Sequence, residues 1–282
     1  MSEGNPRSGG SIAVVGLGLS SISDLTVEAQ QQIRSAGCVF YLTSNPLDIA
    51  WIEREARSSE TLIDCYKQCE DRANAYRAMV DRVMAAVRSG LRVCMALYGH
   101  PAVCCSPGHM AVDAARTEGY PARMSPGISA LDWLMADLNI DLVSLGFQSY
   151  GATHLLRARP LIDPRHHLVL WQVGMIGENT YKERFDVGQL RELHAYLASY
   201  YPASHSVIEY EAATHVLLSP SIQTFALAEM AGNRAPRWVC TYVFPPVDAA
   251  KPPENPYVAP SALSCANSDS DRSASSDPSN VI

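Results

Sequence analysis

The feature that most constrains this chain is an alternation of short apolar runs with amphipathic helical patterns, sustained from Ser11 to Phe244. Ser11–Val15 (SIAVV), Cys38–Leu42 (CVFYL), Thr61–Cys65 (TLIDC) and Leu91–Tyr98 (LRVCMALY) read as strands. The last two are largely apolar, as expected of strands buried on both faces of a parallel sheet. Helical patterns lie between them at Thr26–Ser35, after Pro46, and over Glu70–Arg88. In the longest of these, Tyr76, Met79, Val80, Val83, Met84 and Val87 recur at helical spacing and define one apolar face. Gly90 follows as a C-terminal stop signal. A second alternation predicts a helix over Ser129–Asn139, a strand over His167–Val173, a helix over Val187–Ser199, and strands over Ser206–Ala212 and Trp238–Phe244. Such a pattern implies an α/β fold in two halves, 11–125 and 126–246, dividing where Pro126 and Gly127 break the periodicity.

Composition bounds the function. Of 282 residues, 47% are hydrophobic and 18% charged, which suits a globular body with a sizeable core. Residues 1–10 are polar and Gly/Ser-rich, read as disordered and not as a signal peptide. Residues 247–282 form a Ser/Asp/Pro-rich tail that cannot bury enough apolar area to fold alone. A net charge of −7 argues against a nucleic-acid partner. No run reaches the ~18 apolar residues of a membrane helix, so a cytoplasmic location is expected. The eight cysteines read as reduced thiols. The pairs Cys65/Cys69 and Cys104/Cys105 lack zinc-ligand spacing, while Cys38, Cys94, Cys104 and Cys240 lie in or beside apolar stretches, as small hydrophobes do.

Several segments carry candidate chemistry. Gly16-Leu17-Gly18-Leu19-Ser20-Ser21 follows the first strand, and glycines there permit a tight turn and close ligand approach. A dinucleotide fingerprint would need a third glycine at Ser21 and an acid ending the second strand, where Leu42-Thr43-Ser44 stands, so both requirements fail. Tyr98-Gly99-His100-Pro101 lies at the carboxyl end of its strand, where open α/β sheets place ligands; a Gly-Pro turn with a solvated histidine is the alternative. Arg72 and Tyr76 share a helix face, with Tyr66 just before that helix. A guanidinium beside a phenol favours the ionised phenol, predicting a depressed pKa and a group able to take a proton or steady an oxyanion. Tyr76 also begins the apolar stripe and could simply edge the core. Ser129 suits an N-cap. Gln172, near the end of an apolar strand, needs a partner for its amide, either a core carbonyl or a ligand such as adenine. Trp171 and His194 read as packing and surface residues.

Taken in order, GLGLSS after the first strand, YGHP, PGISA, LVLWQVG and YEAA resemble the tetrapyrrole methylase superfamily, two-domain α/β methyltransferases that use S-adenosylmethionine. The stretch LIDCYKQCEDRANAYRAM, with Tyr66, Arg72 and Tyr76, is more similar to the borosin α-N-methyltransferases, which methylate backbone amides of a ribosomal peptide. The resemblance runs from about Ser11 to Pro246. It implies a catalytic group of Arg72, Tyr76 and Tyr98 supported by Tyr66. It also implies cofactor contacts from Tyr98, His100, Val103, Ala130, Gln172, Ala213, Cys240 and Thr241 in a cleft between the halves, and no metal. The chain departs from the pattern at Ala102, where glycine is usual, and at Cys104, where an aromatic is usual; a thiol fills less of the pocket than a ring.

An amide nitrogen is a poor nucleophile because its lone pair is delocalised into the planar peptide bond. Alkylating it requires removing the N–H proton or stabilising charge on the carbonyl oxygen, together with in-line positioning. Fused members of the family carry a helical clasp and an apolar core peptide. Here 36 Ser/Asp/Pro-rich residues follow Pro246, so the resemblance implies the split type: a separate precursor peptide and, by analogy with intertwined family homodimers, a two-plus-two complex. A small-molecule C- or O-methyltransferase and a catalytically silent peptide-binding homologue remain the alternatives.

Overall fold

The structure is a computed structural model and describes residues 9–180, 187–232, 236–237 and 239–247. The first part of the chain alternates β1 (Ser11–Gly16), α1 (Val27–Ser35), β2 (Cys38–Leu42), α2 (Pro46–Glu55), β3 (Ser59–Thr61), α3 (Asp64–Gln68), α4 (Arg72–Arg88), β4 (Arg92–Leu97), α5 (Ser106–Thr117) and β5 (Ala122–Ser125). Its five strands are all parallel, in the order β3-β2-β4-β1-β5. Helices must then cover both faces. Met79, Val83 and Met84 of α4 and Ala111 of α5 pack on Ile12, Val14 and Met95. On the opposite face Ile33 of α1 and Ile52 of α2 pack on Val15, Val39 and Cys94. Each large aliphatic side chain buried this way contributes about 1.5–3 kcal/mol.

The second part comprises α6 (Ala130–Leu138), β6 (Phe147–Gly151), α7 (Ala152–Ala158), β7 (His167–Trp171), α8 (Val187–Leu197), β8 (Ser206–Glu211), β9 (Ser221–Ala226) and β10 (Thr241–Phe244). Here the order is β6-β7-β10-β8-β9 and only the β6–β7 pair is parallel. Leu155 of α7 and Leu190 and Leu193 of α8 cover one face. Leu134 of α6 packs on the other, against Val169, Trp171, Tyr210 and Val243. No helix among the described residues is long and apolar enough to cross a membrane.

Three strand expectations are corrected. Thr61–Cys65 is not one strand: β3 ends at Thr61, whose hydroxyl accepts a hydrogen bond from the Ile63 amide (3.2 Å), and the chain turns into α3 carrying Cys65. A threonine that bonds two residues ahead bends the backbone, overriding apolar content. The strand expected over His167–Val173 stops at Trp171, because Gln172 takes a left-handed conformation with φ 59°. The strand expected over Trp238–Phe244 begins at Thr241, and Trp238 lies outside the described residues. The tail from 248 onward and residues 1–8 also lie outside them.

Candidate active site

At the carboxyl edge of the first sheet three loops meet backbone to backbone. Leu17 N–H donates to the Leu97 carbonyl (2.8 Å), and Gly18 and Gly99 exchange two hydrogen bonds, 3.2 and 2.7 Å. A Cβ on Gly16 would lie 2.4 Å from the Gly99 oxygen and 2.9 Å from Gly127 Cα, and one on Gly127 would lie 2.8 Å from Gly16 Cα. The glycines of GLGLSS, YGHP and PGISA are therefore what allow this close approach. His100 is half-buried, its Nδ1 accepting from the Ala102 amide at 3.0 Å, which leaves the proton on Nε2. Val103 and Cys104 are exposed, and Cys104 sits at φ 52°. The reading of Cys104 as a small core hydrophobe is thus corrected, because the left-handed turn carries its side chain to the surface. Burial pushes the neighbouring Cys105 thiol up to about 11.

Antiparallel pairing gathers the residues of the second sheet. Because β10 runs opposite to both β7 and β8, its first residues lie beside the carboxyl ends of those strands. Gln172, Cys240, Thr241 and Ala213 consequently share one edge. The Val173 amide donates to the Cys240 carbonyl (3.1 Å), Cys240 and Thr241 are buried, and Gln172 and Ala213 are half-buried. The Gln172 amide has no hydrogen-bond partner among the described residues. Ala130 opens α6, whose N-terminus is closed by a reciprocal Ser129–Asp132 capping box.

Between these edges lies the tyrosine–arginine group. Arg72 begins α4, behind the N-cap Asp71, whose carboxylate accepts from Asn74 N–H at 2.8 Å. Its side chain reaches the second part of the chain: Nε donates to the Thr180 carbonyl (3.0 Å) and Nη2 to Met175 Sδ (3.6 Å), while its backbone N–H donates to the Asn179 carbonyl (2.9 Å). The rings of Tyr66 and Tyr76 meet edge-on with centroids 6.1 Å apart. Tyr98 is half open to solvent, yet close enough to feel the charges of Tyr76 and Arg72.

The expected depression of the phenol pKa values is not what the structure shows for Tyr66 and Tyr98. Burial pushes both well above the ordinary value; the phenols of Tyr76 and Tyr98 push Tyr66 further, Cys105 and Tyr76 push Tyr98 further, and the pull of Arg72 is outweighed. Both groups are protonated at neutral pH and act as hydrogen-bond donors.

Sequence reasoning missed two buried carboxylates beside the glycine turn. Asp24 Oδ2 accepts from the Leu19 and Ser20 amides (2.9 Å each) and from Trp133 Nε1 on α6 (2.7 Å). Asp48 accepts from the Ser21 and Thr43 hydroxyls at 3.0 and 3.2 Å, and burial raises its pKa. The signal available was an aspartate two residues ahead of the N-cap Thr26, and an indole N–H on α6 that needs an acceptor.

Residues 11–180 match the family of Tetrapyrrole (Corrin/Porphyrin) Methylases. The chain belongs to the tetrapyrrole methylase family. The chain superposes on uroporphyrin-III-C-methyltransferase from Thermus thermophilus with a TM-score of 0.61 at 18% identity, covering 84% of this chain and 92% of that one. On the methyltransferase CobJ the TM-score is 0.54 at 15% identity, covering 84% and 95%. These likenesses show the α/β fold. The chain is also 33% identical, over 89% of its length, to the methyltransferase/ribosomally synthesized cyclic peptide gymnopeptides precursor of Gymnopus fusipes. It is 37% identical, over 78% of its length, to the corresponding omphalotin A precursor of Omphalotus olearius. The chain spans 61% and 53% of the length of those two relatives. Their names join methyltransferase and precursor in one chain, unlike the separate precursor expected here.

Proposed function

We propose that this chain is an S-adenosylmethionine-dependent methyltransferase acting on backbone amide nitrogens of a ribosomal peptide. The observation that carries the reading is the placement of Arg72, Tyr66, Tyr76 and Tyr98 together, at the junction where the carboxyl edge of the parallel sheet faces the segment Met175–Thr180. The reading takes 11–125 and 126–246 as the two subdomains, with the cofactor between them. The residues fit such a group: backbone loops packed by glycine at the sheet edge, and a half-buried Gln172 amide with donor and acceptor capacity to spare. Tyr98, His100, Val103, Ala130, Gln172, Ala213, Cys240 and Thr241 would hold it. Bound there, it supplies an electrophilic methyl group on a cationic sulfur.

The chain's own residues do the rest. Arg72, fixed by Thr180 and Met175, and the protonated phenols of Tyr66 and Tyr98 present donors and positive charge to a substrate carbonyl oxygen as charge develops on it. The edge-on packing of Tyr66 against Tyr76 orients Tyr76, to whose phenolate form the reading gives the task of taking the amide proton. The cleft walls hold the peptide nitrogen in line, where effective concentration lowers the barrier. The assembly expected is a homodimer, with the peptide reaching the cleft from a separate chain.

The test incubates the full chain with methyl-deuterated S-adenosylmethionine and a Val/Gly/Ile-rich peptide, followed by tandem mass spectrometry of both peptide and enzyme. Serial labelled methyl groups on peptide backbone nitrogens support the reading. Label on the enzyme's own backbone would move the substrate into the same chain. In a parallel incubation with a porphyrinogen in place of the peptide, label on that small molecule alone favours the small-molecule alternative, and cofactor binding with no labelled product in either incubation favours the silent homologue.

A further inference from the structure

One buried charge at the cleft is left without a role by the proposed chemistry. Asp24 is only 8% exposed, and no ion pair among the described residues includes it. A buried carboxylate without a cation is costly unless hydrogen bonds stabilise it. Here three N–H groups converge on the same oxygen, Oδ2. Two come from the glycine turn after β1, at Leu19 and Ser20, and the third comes from Trp133 on α6, a helix that packs on the second sheet. The carboxylate thus joins the two sheets' elements through one atom.

Its stem is equally committed. A Cβ on Gly18 would fall 2.0 Å from Asp24 Cβ, so the side chain packs directly on the turn, and Gly18 itself sits at φ 75°. Just upstream of α6, Gly127 meets Gly16 and Gly99. Both ends of this clasp therefore border the cleft that Ala130 and the YGHP loop line. Neutral N–H dipoles stabilise an anion but do not cancel it, so a net negative charge stays in the wall. Asp48, 7% exposed and held by hydroxyls alone, lies near enough to Asp24 to feel its charge.

We propose that Asp24 is a positioning residue of the cofactor cleft, clasping the glycine turn to Trp133, and that its charge favours a cationic methyl donor over the neutral product. The proposal rests on the S-adenosylmethionine reading above. Methyl transfer removes the donor's positive charge, so one fixed anion both attracts the donor and eases departure of S-adenosylhomocysteine.

Isothermal titration calorimetry of the full chain with each ligand separately tests it. Asp24→Asn keeps an oxygen to accept the Leu19 and Ser20 amides while removing the charge. It should weaken S-adenosylmethionine by about three- to tenfold and S-adenosylhomocysteine by less than about twofold, the scale of a screened charge–charge term. Trp133→Phe opens the clasp and keeps the charge, so it should weaken both ligands by the same factor. Equal losses for both ligands in Asp24→Asn, or no loss in either variant, overturn the proposal. If the wild-type chain binds neither ligand, the cofactor reading itself fails, a result distinct from equal losses.

Discussion

The meeting of three loops at the sheet edge makes Gly16→Ala a sharp perturbation. Its new Cβ would stand 2.4 Å from the Gly99 carbonyl oxygen, 2.9 Å from Gly127 Cα and 3.0 Å from the Pro101 ring. Ordinary contact begins near 3.4 Å, so about 1 Å of displacement is needed, and two of the three neighbours are backbone that cannot rotate away. Overpacking of this kind costs about 1–3 kcal/mol or more. The reduced freedom of the unfolded chain returns about 0.4–1 kcal/mol. A net loss of about 1–2 kcal/mol follows, which in a domain of this size lowers Tm by ~2–8 °C. Gly151→Ala serves as the control, because nothing lies within 4 Å of its added Cβ. There the entropic gain and the poorer N-cap nearly cancel, leaving about ±0.5 kcal/mol. Urea unfolding followed by circular dichroism reads both variants. A Gly16→Ala midpoint equal to that of Gly151→Ala would refute the close-packed edge.

Two further outcomes follow from the same geometry. Tyr76→Phe keeps the edge-on ring contact with Tyr66 and removes only the hydroxyl, so turnover should fall by about 100-fold or more while cofactor affinity stays within about twofold; single-turnover mass spectrometry with calorimetry checks this, and undiminished turnover removes Tyr76 from the chemistry. Burial lowers the pKa of His167 and His205, so both favour the neutral form in the fold. Their contribution is complete above the unfolded value near 6.5 and is lost as pH falls below it, at up to ~1.4 kcal/mol per pH unit for each group. Asp48, with a raised pKa, contributes in the opposite sense, so urea midpoints between pH 7.5 and 5.5 are read in an Asp48→Asn background. A flat profile there contradicts the assignment.

Periodicity made the first sheet readable. β1, β2, β4 and the buried stripe of α4 are long, apolar and regularly spaced, and they lie where the pattern puts them. Tyr76, first of that stripe, is half-buried, serving the core edge and the cleft together. What escaped was short or polar. β5 (ARMS) and the mostly exposed β9 (SIQTFA) have too few apolar residues to alternate, and α5 opens with Ser-Pro-Gly, which reads as a turn. Gln172 was singled out from sequence, but its left-handed backbone was invisible there, since nothing local demands it. The phenol pKa shifts were misjudged for a related reason: the guanidinium was visible at i+4 spacing, while the burial that outweighs it is set by residues distant in sequence. Asp24 belongs to the same class, because its three donors come from one turn and from a helix more than a hundred residues away.

A crystal structure of the chain with S-adenosylhomocysteine tests the central claim most directly. The account places the ligand's sulfur in the cleft beside Tyr98, facing Arg72 and Tyr76, with the adenine near Gln172. A sulfur bound elsewhere, with the Arg72 guanidinium turned to bulk solvent in every subunit, would contradict it.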